Sequence, residues 1–282
     1  MVGAVLGISF YTDGKPFRAL MDEARGPAQQ PAPAPAKPLA AAQCRTDFPM
    51  SPQVAAALRA NRPIRIGIFG DSFGDGIWAG TLQELAGRKN FKVYHFSKES
   101  TGLTRYQSLN ILEDVKRRIA EQPVDVALFS FGANDTQGVW VAGKPAAYMT
   151  PAWKDVIGGR ARDIVQLLQQ NGVAVGWIGL PRMRRPKFDE QIQQMNGFYA
   201  GVMCDLGVPF VNPVSMTQGP DGGFSRDLVD PETGKKYLAR ADDGIHMSVH
   251  GYRVIVRPLL KKVIALAPDQ PPAPTRLAPG AQ

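Results

Sequence analysis

Short apolar runs alternate with longer periodic segments through the middle of the chain. The runs rich in β-branched and aromatic residues are typical of buried strands, and they cover residues 64–69, 91–96, 124–131, 173–180 and 208–212. Between these runs the apolar residues recur at helical spacing. Residues 104–121 place Leu109, Leu112, Val115 and Ile119 on one face, and residues 154–170 do so with Val156, Ile164, Leu167 and Leu168.

Strands that are separated by helices need crossover connections, which favour a parallel sheet covered on both faces. We therefore predict one α/β domain over residues 45–267. Its expected architecture is three-layered and flavodoxin-like, a doubly wound parallel five-stranded sheet of order 2-1-3-4-5. Ligands bind beyond the carboxyl ends of the strands in such sheets, so the segments that follow the predicted strands are the ones to examine for chemistry.

The two ends of the chain differ in composition from this domain. Residues 26–44 are rich in Pro and Ala, which favours an extended spacer, and residues 268–282 resemble an unstructured tail. Residues 1–25 begin with an apolar stretch that lacks the features of a signal peptide. That stretch is either the remainder of a longer hydrophobic segment, which would tether the protein to a membrane, or simply an apolar end.

The chain is basic, with 33 Lys and Arg against 25 Asp and Glu and a net charge of +8. Such a charge suggests an anionic partner, but no helix-turn-helix, zinc finger or interleaved basic and aromatic pattern accompanies it, which argues against nucleic acid. The two cysteines, Cys44 and Cys204, are too few for a disulfide scaffold or a Cys-rich zinc site. They would form one bond in an oxidising compartment and remain free thiols in the cytosol.

Four of the loops that follow strands, or precede the last helix, carry candidate catalytic groups. GDSFGDG contains Ser72 at a strand-to-helix turn, ESTGLTR offers the backbone N–H of Gly102, FGANDTQG contains Asn134, and ADDGIHMS contains Asp243 and His246. A serine hydroxyl needs an imidazole to take its proton, and the imidazole needs a carboxylate to orient it. The oxyanion formed on attack needs preorganised donors, which the N–H groups of Ser72 and Gly102 and the amide of Asn134 would supply.

These four segments resemble the conserved blocks of the SGNH hydrolase superfamily, the GDSL-type esterases and lipases. The resemblance rests on GDS at 70–72, Gly102, G-x-N-D at 132–135 and D-x-x-H at 243–246, in the same order and spacing. It covers nearly the whole domain and looks closest to a bacterial envelope branch. It implies a flavodoxin-like fold and Ser–His–Asp ester chemistry with no metal and no organic cofactor.

Several of these residues have alternative interpretations. Ser72 is also a plausible helix N-cap, Asp242 competes with Asp243 for the orienting position, and the i, i+4 spacing of His246 and His250 occurs in metal-binding helices. Neither an H-E-x-x-H motif nor a third ligand accompanies the two histidines, so we predict no metal site. Asp71 and Asp135 are interpreted as acceptors that hold loops.

Two segments are candidates for substrate binding. The long loop after the third strand carries Trp140, Tyr148 and Trp153, which would form either a sugar-stacking wall or a self-packed loop. The segment PRMRRPK carries three arginines that would either hold an anionic group or face water: Arg182, Arg184 and Arg185.

The sequence therefore predicts a serine esterase that acts outside the cytoplasm on an acylated cell-envelope saccharide or another polar ester. An O-acyltransferase would use the same triad. A non-catalytic module that binds a glycan or a protein partner is the alternative from another class.

Overall fold

The computed structural model describes residues 44–267. The expectations for residues 1–25, for nearly all of the spacer 26–44 and for the tail 268–282 fall outside the described residues.

The described chain alternates strands and helices as the hydrophobic pattern predicts. The elements in order are α1 (Pro52–Arg59), β1 (Ile64–Gly70), α2 (Ser72–Glu84), β2 (Phe91–His95), α3 (Ile111–Glu121), β3 (Val126–Ser130), β4 (Val139–Val141), β5 (Lys144–Ala146), α4 (Pro151–Gln170), β6 (Ala174–Ile178), α5 (Pro186–Asp205), β7 (Phe210–Val211), α6 (Val214–Thr217), β8 (Asp227–Val229), β9 (Lys236–Leu238) and α7 (Val249–Leu266).

The central sheet confirms the predicted architecture. Its five strands pair in the order β2-β1-β3-β6-β7, and every pairing is parallel. This is the order 2-1-3-4-5 when the five strands are counted along the chain. The carboxyl ends of β1, β3 and β6 therefore meet at one edge of the sheet, where the loops after them can approach one another.

The prediction of a helix over residues 104–121 is wrong at its start. The helix α3 begins only at Ile111, after Asn110, whose side chain accepts the N–H of Glu113 at 3.3 Å. Residues 104–110 form turns instead, because both the N–H and the hydroxyl of Thr104 donate to the carboxylate of Asp135, at 2.8 and 2.7 Å. A tertiary contact thus overrides the helical periodicity.

Two hydrophobic cores lie on opposite faces of the sheet. Alternate residues of a strand point to opposite faces, so Ile66 and Ile68 of β1 join the core that contains α2 and α7, while Phe69 joins the core that contains α3 and α4. The side chains of β3 alternate between the two cores in the same way. Both faces of the sheet are buried, which explains why its strands are continuous apolar runs rather than alternating ones.

Helices α2 and α7 pack closely because two glycines on α2 face α7. A Cβ on Gly80 would lie 2.6 Å from the backbone nitrogen of Arg253, and one on Gly76 would lie 2.0 Å from the ring of Tyr252. Both distances are shorter than any real carbon contact. The close crossing brings the first turn of α2 beside the segment that leads into α7.

Two further features lie outside the central sheet. Cys44 and Cys204 form a disulfide, which ties the start of the described chain to the end of α5. Strands β8 and β9 pair as an antiparallel hairpin around the Pro-Glu-Thr-Gly turn. Among residues 44–267 we find no helix long and apolar enough to cross a lipid bilayer.

Candidate active site

The hydroxyl of Ser72 lies against the imidazole of His246, with 2.8 Å between Oγ and Nε2. Ser72 is the first residue of α2, but it is not the cap of that helix. Asp71 is the cap, since its carboxylate accepts the N–H of Phe73 at 2.8 Å. The interpretation of Ser72 as an N-cap is therefore wrong, and its hydroxyl is left to pair with His246.

The other ring nitrogen of His246 faces a carboxylate. Nδ1 lies 2.5 Å from Oδ2 of Asp243, whose Oδ1 accepts the N–H groups of Ile245 at 2.8 Å and His246 at 2.9 Å. Partial burial acts to raise the pKa of Asp243, but the bonds from the imidazole and from the two N–H groups outweigh it and lower the pKa to about 2. An ionised carboxylate therefore lies beside the imidazole at neutral pH.

The neighbouring Asp242 does not compete for this position. Its side chain is 94% exposed and lies 3.6 Å from Arg226. The structure therefore brings together Ser72, His246 and Asp243, and it leaves Asp242 at the surface.

The side chain of Asn134 links the loops that carry the predicted oxyanion donors. Its amide nitrogen donates to the carbonyl of Thr101 at 2.9 Å and to Asp71 at 3.3 Å, which connects the loops after β1, β2 and β3. Among residues 44–267 the backbone N–H groups of Ser72 and Gly102 have no hydrogen-bond acceptor. Burial raises the pKa of Asp71 to about 7.

Asp135 holds the loop that contains Gly102. Its buried carboxylate accepts the N–H groups of Leu103 at 3.1 Å and Thr104 at 2.8 Å. A Cβ on Gly102 would lie 2.5 Å from Oδ1 of Asp135, so only glycine permits this approach. The requirement for glycine here comes from the carboxylate behind the loop.

Arg240 supports the loop that carries the histidine, and nothing in the sequence singled it out. Its side chain is almost fully buried, and its guanidinium donates to the carbonyls of Arg182 at 2.7 Å, Gly244 at 3.2 Å and Ile245 at 2.9 Å. Because its contacts are carbonyls rather than a carboxylate, burial lowers its pKa to about 10. The contacts are visible only once the chain has folded.

The aromatic residues of the long loop separate into two groups. Trp153 is 0% exposed and its Nε1 donates to the carbonyl of Gln137 at 2.7 Å, so the expectation that it contacts substrate is wrong. Tyr148 packs edge-on against Trp153 and donates to the carbonyl of Gln191 at 2.6 Å. Trp140, in contrast, is 70% exposed on the β4–β5 hairpin. Trp153 thus lies in helix α4, and Tyr148 packs the end of the loop against it, whereas the ring of Trp140 faces solvent.

The three arginines of the PRMRRPK segment have different environments. Arg182 forms an ion pair with Asp189 at 3.1 Å. Arg184 donates to the carbonyl of Asp242 at 2.7 Å, next to the histidine loop, and Arg185 is exposed with its guanidinium over the ring of Phe188. Of these three guanidinium groups, that of Arg184 contacts the loop that carries Asp243 and His246.

The remaining histidines bind carboxylates elsewhere. His250 lies 2.8 Å from Asp230, and His95 lies 2.7 Å from Asp75 and stacks on Trp78. Residues 44–267 contain no group of three or more His, Cys, Asp or Glu side chains that would hold a metal ion.

Comparisons with known proteins place this chain in a family. The model of a family described as "Protein of unknown function (DUF459)" matches residues 65–262. No curated protein sequence matches the chain.

Two solved structures share the fold. A GDSL-like lipase from Bacteroides thetaiotaomicron aligns with a TM-score of 0.50 at 16% identity, over 75% of this chain and 97% of that chain. The periplasmic domain of a lipopolysaccharide acetyltransferase from Salmonella ser. Paratyphi A aligns with a TM-score of 0.50 at 13% identity, over 75% of this chain and 88% of that chain. The chain therefore has the fold of the SGNH hydrolases and belongs to the DUF459 family.

Proposed function

We propose that this protein is a serine esterase that removes acyl groups from a polar ester, with an acylated cell-envelope saccharide as its substrate. The observation that carries the proposal is the unbroken chain of contacts from Ser72 through His246 to Asp243, at 2.8 and 2.5 Å. In this chain the imidazole is poised to take a proton from the hydroxyl, and the ionised carboxylate stabilises the imidazolium that results.

The proposed reaction proceeds in two halves. Ser72 Oγ attacks the ester carbonyl carbon while its proton passes to His246 Nε2, and the carbonyl oxygen becomes an oxyanion. The intermediate collapses, the alcohol leaves with the proton from His246, and an acyl-serine remains. Water then attacks the acyl-serine with His246 as base, which releases the acid and restores the serine.

The oxyanion would be bound by the N–H groups of Ser72 and Gly102 and by the amide of Asn134. Each such donor is worth about 3 kcal/mol of transition-state stabilisation. The amide of Asn134 already makes two bonds, and its 3.3 Å bond to Asp71 is the longer. We propose that this longer bond is the one exchanged for the oxyanion.

Transfer of the acyl group is the second candidate, because its first half uses the same groups. An acceptor hydroxyl would replace water at the acyl-serine. The likeness to the periplasmic domain of an acetyltransferase is the reason to test it. The Cys44–Cys204 disulfide and that same likeness support a location outside the cytoplasm.

A fluorophosphonate probe tests the nucleophile directly. We expect the probe to label the wild type at neutral pH and not Ser72→Ala. Ser215→Ala removes an exposed hydroxyl outside the triad and serves as the matched control, which should label as the wild type does. Equal labelling of Ser72→Ala, or none of the wild type, contradicts the proposal and favours a non-catalytic binding module.

A product assay separates hydrolysis from transfer. With a p-nitrophenyl acyl donor, an esterase releases free acid whether or not a saccharide is added. A transferase yields acylated saccharide in its place, in proportion to the acceptor concentration.

A further inference from the structure

A groove runs beside the loop that contains Gly102, and its lining is unusual. We call it the aromatic–basic groove, and it is lined by Thr104, Arg105, Tyr106, Gln137, Trp140 and Arg160. The side-chain amide of Gln137 donates to Thr104 Oγ1 at 3.0 Å and to the carbonyl of Asn134 at 3.2 Å. The floor of the groove is therefore in direct contact with two loops of the proposed oxyanion site.

The aromatic side chains of the groove differ in exposure. Trp140 is 70% exposed, and no described side chain stacks on its ring. Tyr106 is half-buried beneath the guanidinium of Arg160, whose central carbon lies 4.2 Å from the ring centre. An exposed indole next to polar groups is suited to stacking on the C–H face of a sugar.

The two arginines of the groove donate to backbone carbonyls rather than to acidic side chains. Arg160 donates to the carbonyl of Leu103 at 2.5 Å, and Arg105 donates to the carbonyl of Ser100 at 2.8 Å. Within residues 44–267 neither guanidinium forms an ion pair, whereas Arg117, Arg118, Arg253 and Arg257 all do. Each therefore keeps N–H groups that can bind an anion in two-point fashion.

The side chains around the groove carry charges of both signs. An adjoining depression shares Arg105 and Gln137 with the groove and adds Lys98 and Glu99. The buried carboxylate of Asp135 lies within electrostatic range of Arg105 and Arg160, but its hydrogen bonds go to the backbone of Leu103 and Thr104. The two guanidinium groups therefore keep N–H groups free for a ligand carboxylate.

We propose that the aromatic–basic groove binds the saccharide part of the ester substrate, and that this saccharide carries carboxylate groups. Trp140 stacks on a sugar ring, and Arg105 and Arg160 hold a carboxylate. The acyl group then lies toward Gly102 and Ser72. This inference rests on the proposed function, since it names the alcohol portion of the same ester.

Calorimetric binding to Ser72→Ala protein tests the groove without turnover. The probes are tetragalacturonate and tetramannuronate, each paired with its methyl-esterified neutral form. We expect each charged form that binds to do so about 10-fold more tightly than its neutral form, because a charge-assisted pair is worth roughly that factor. Adding Trp140→Ala or Arg105→Gln should weaken binding by a similar factor, while Arg59→Gln, on the exposed end of α1, should change it less than about twofold.

Three results would overturn the inference: binding of neither uronate, equal affinity for charged and neutral forms, or an equal loss with Arg59→Gln and Arg105→Gln. Thermal unfolding of each variant establishes that a loss of binding is not a loss of fold. The outcome is also distinct from that of the probe experiment. Uronate binding without labelling of Ser72 would support the groove and reject the esterase. Labelling of Ser72 without uronate binding would support the esterase and reject the groove.

Discussion

Two histidines that lie four residues apart along the chain each face an aspartate, and the two pairs have different surroundings. His246 faces Asp243 at 2.5 Å and His250 faces Asp230 at 2.8 Å. The second nitrogen of His246 faces the hydroxyl of Ser72. The ring of His250 lies instead 4.4 Å from the ring of Tyr237, and its carboxylate also binds Arg257.

The difference lies in what else the carboxylate binds. Asp243 is half-exposed and, within the described part of the chain, receives only backbone N–H groups besides the imidazole, so its charge acts on His246. Asp230 is almost fully buried and binds the equally buried Arg257, which also contacts Glu84 and Glu232. An arginine thus neutralises the second carboxylate, and that pair anchors α7 to the β8–β9 hairpin. A histidine and a carboxylate alone do not make a catalytic pair.

The largest effect is expected from Asp243→Asn. Loss of the carboxylate leaves the imidazole in the wrong tautomer, so turnover of p-nitrophenyl acetate should fall on the order of 10³- to 10⁴-fold. The unfolding midpoint should hardly change, because the carboxylate is half-exposed. Activity within tenfold of the wild type would remove Asp243 from the mechanism.

Asp230→Asn should act on stability instead. Removing a buried charge partner of Arg257 should lower the free energy of unfolding by about 3 kcal/mol, measured in urea at pH 7. Activity per folded molecule should persist, in contrast to Asp243→Asn.

Asp230→Asn should also change how the stability of the protein depends on pH. Burial acts to raise the pKa of Asp230, but the bonds from Glu232 N–H, Arg257 and His250 hold the pKa well below its usual value of 3.8. The stabilisation is therefore present above about pH 4 and is lost as the pH falls further. The stability gap between wild type and variant should shrink below pH 4, and a gap that widens there would contradict the assignment.

Arg240→Met tests the arginine that supports the His246 loop, for comparison with Arg257 beside Asp230. Arg257 is matched by carboxylates, whereas Arg240 binds three carbonyls of the segments around His246. Leaving these carbonyls unpaired should cost about 2 kcal/mol of stability. The loop should also lose order, so kcat should fall while the KM for a small ester changes little. A loss of stability with unchanged kcat would make Arg240 purely structural.

His250→Gln is expected to have the smallest effect. One hydrogen bond to Asp230 is weakened, so the free energy of unfolding should fall by about 1 kcal/mol. Activity should stay within about twofold of the wild type, whereas the matched His246→Gln should remove nearly all of it. Comparable losses of activity in the two variants would break the contrast between the pairs.

The sequence was informative where the relevant distances along the chain are short. The apolar runs predicted the strands, because a buried parallel strand must be apolar on both faces, and their alternation with helices predicted the parallel sheet. The prediction failed at residues 104–110, where Asp135, some thirty residues away, holds Thr104 in a turn. It left Trp153 open between substrate contact and packing, because an aromatic residue near a predicted loop has the same pattern in either place, and the structure buries it in α4.

What the sequence determined by itself was the local chemistry. The D-x-x-H spacing suffices to bring Asp243 and His246 together, because three residues can form one turn. The four sequence blocks also indicated that His246 is the histidine that meets Ser72. Only the tertiary structure decided which arginine lies buried without a carboxylate and which tryptophan faces solvent. Each of those outcomes depends on contacts between distant segments, and they form only when α2, α7 and the loops at the carboxyl edge pack against the same sheet.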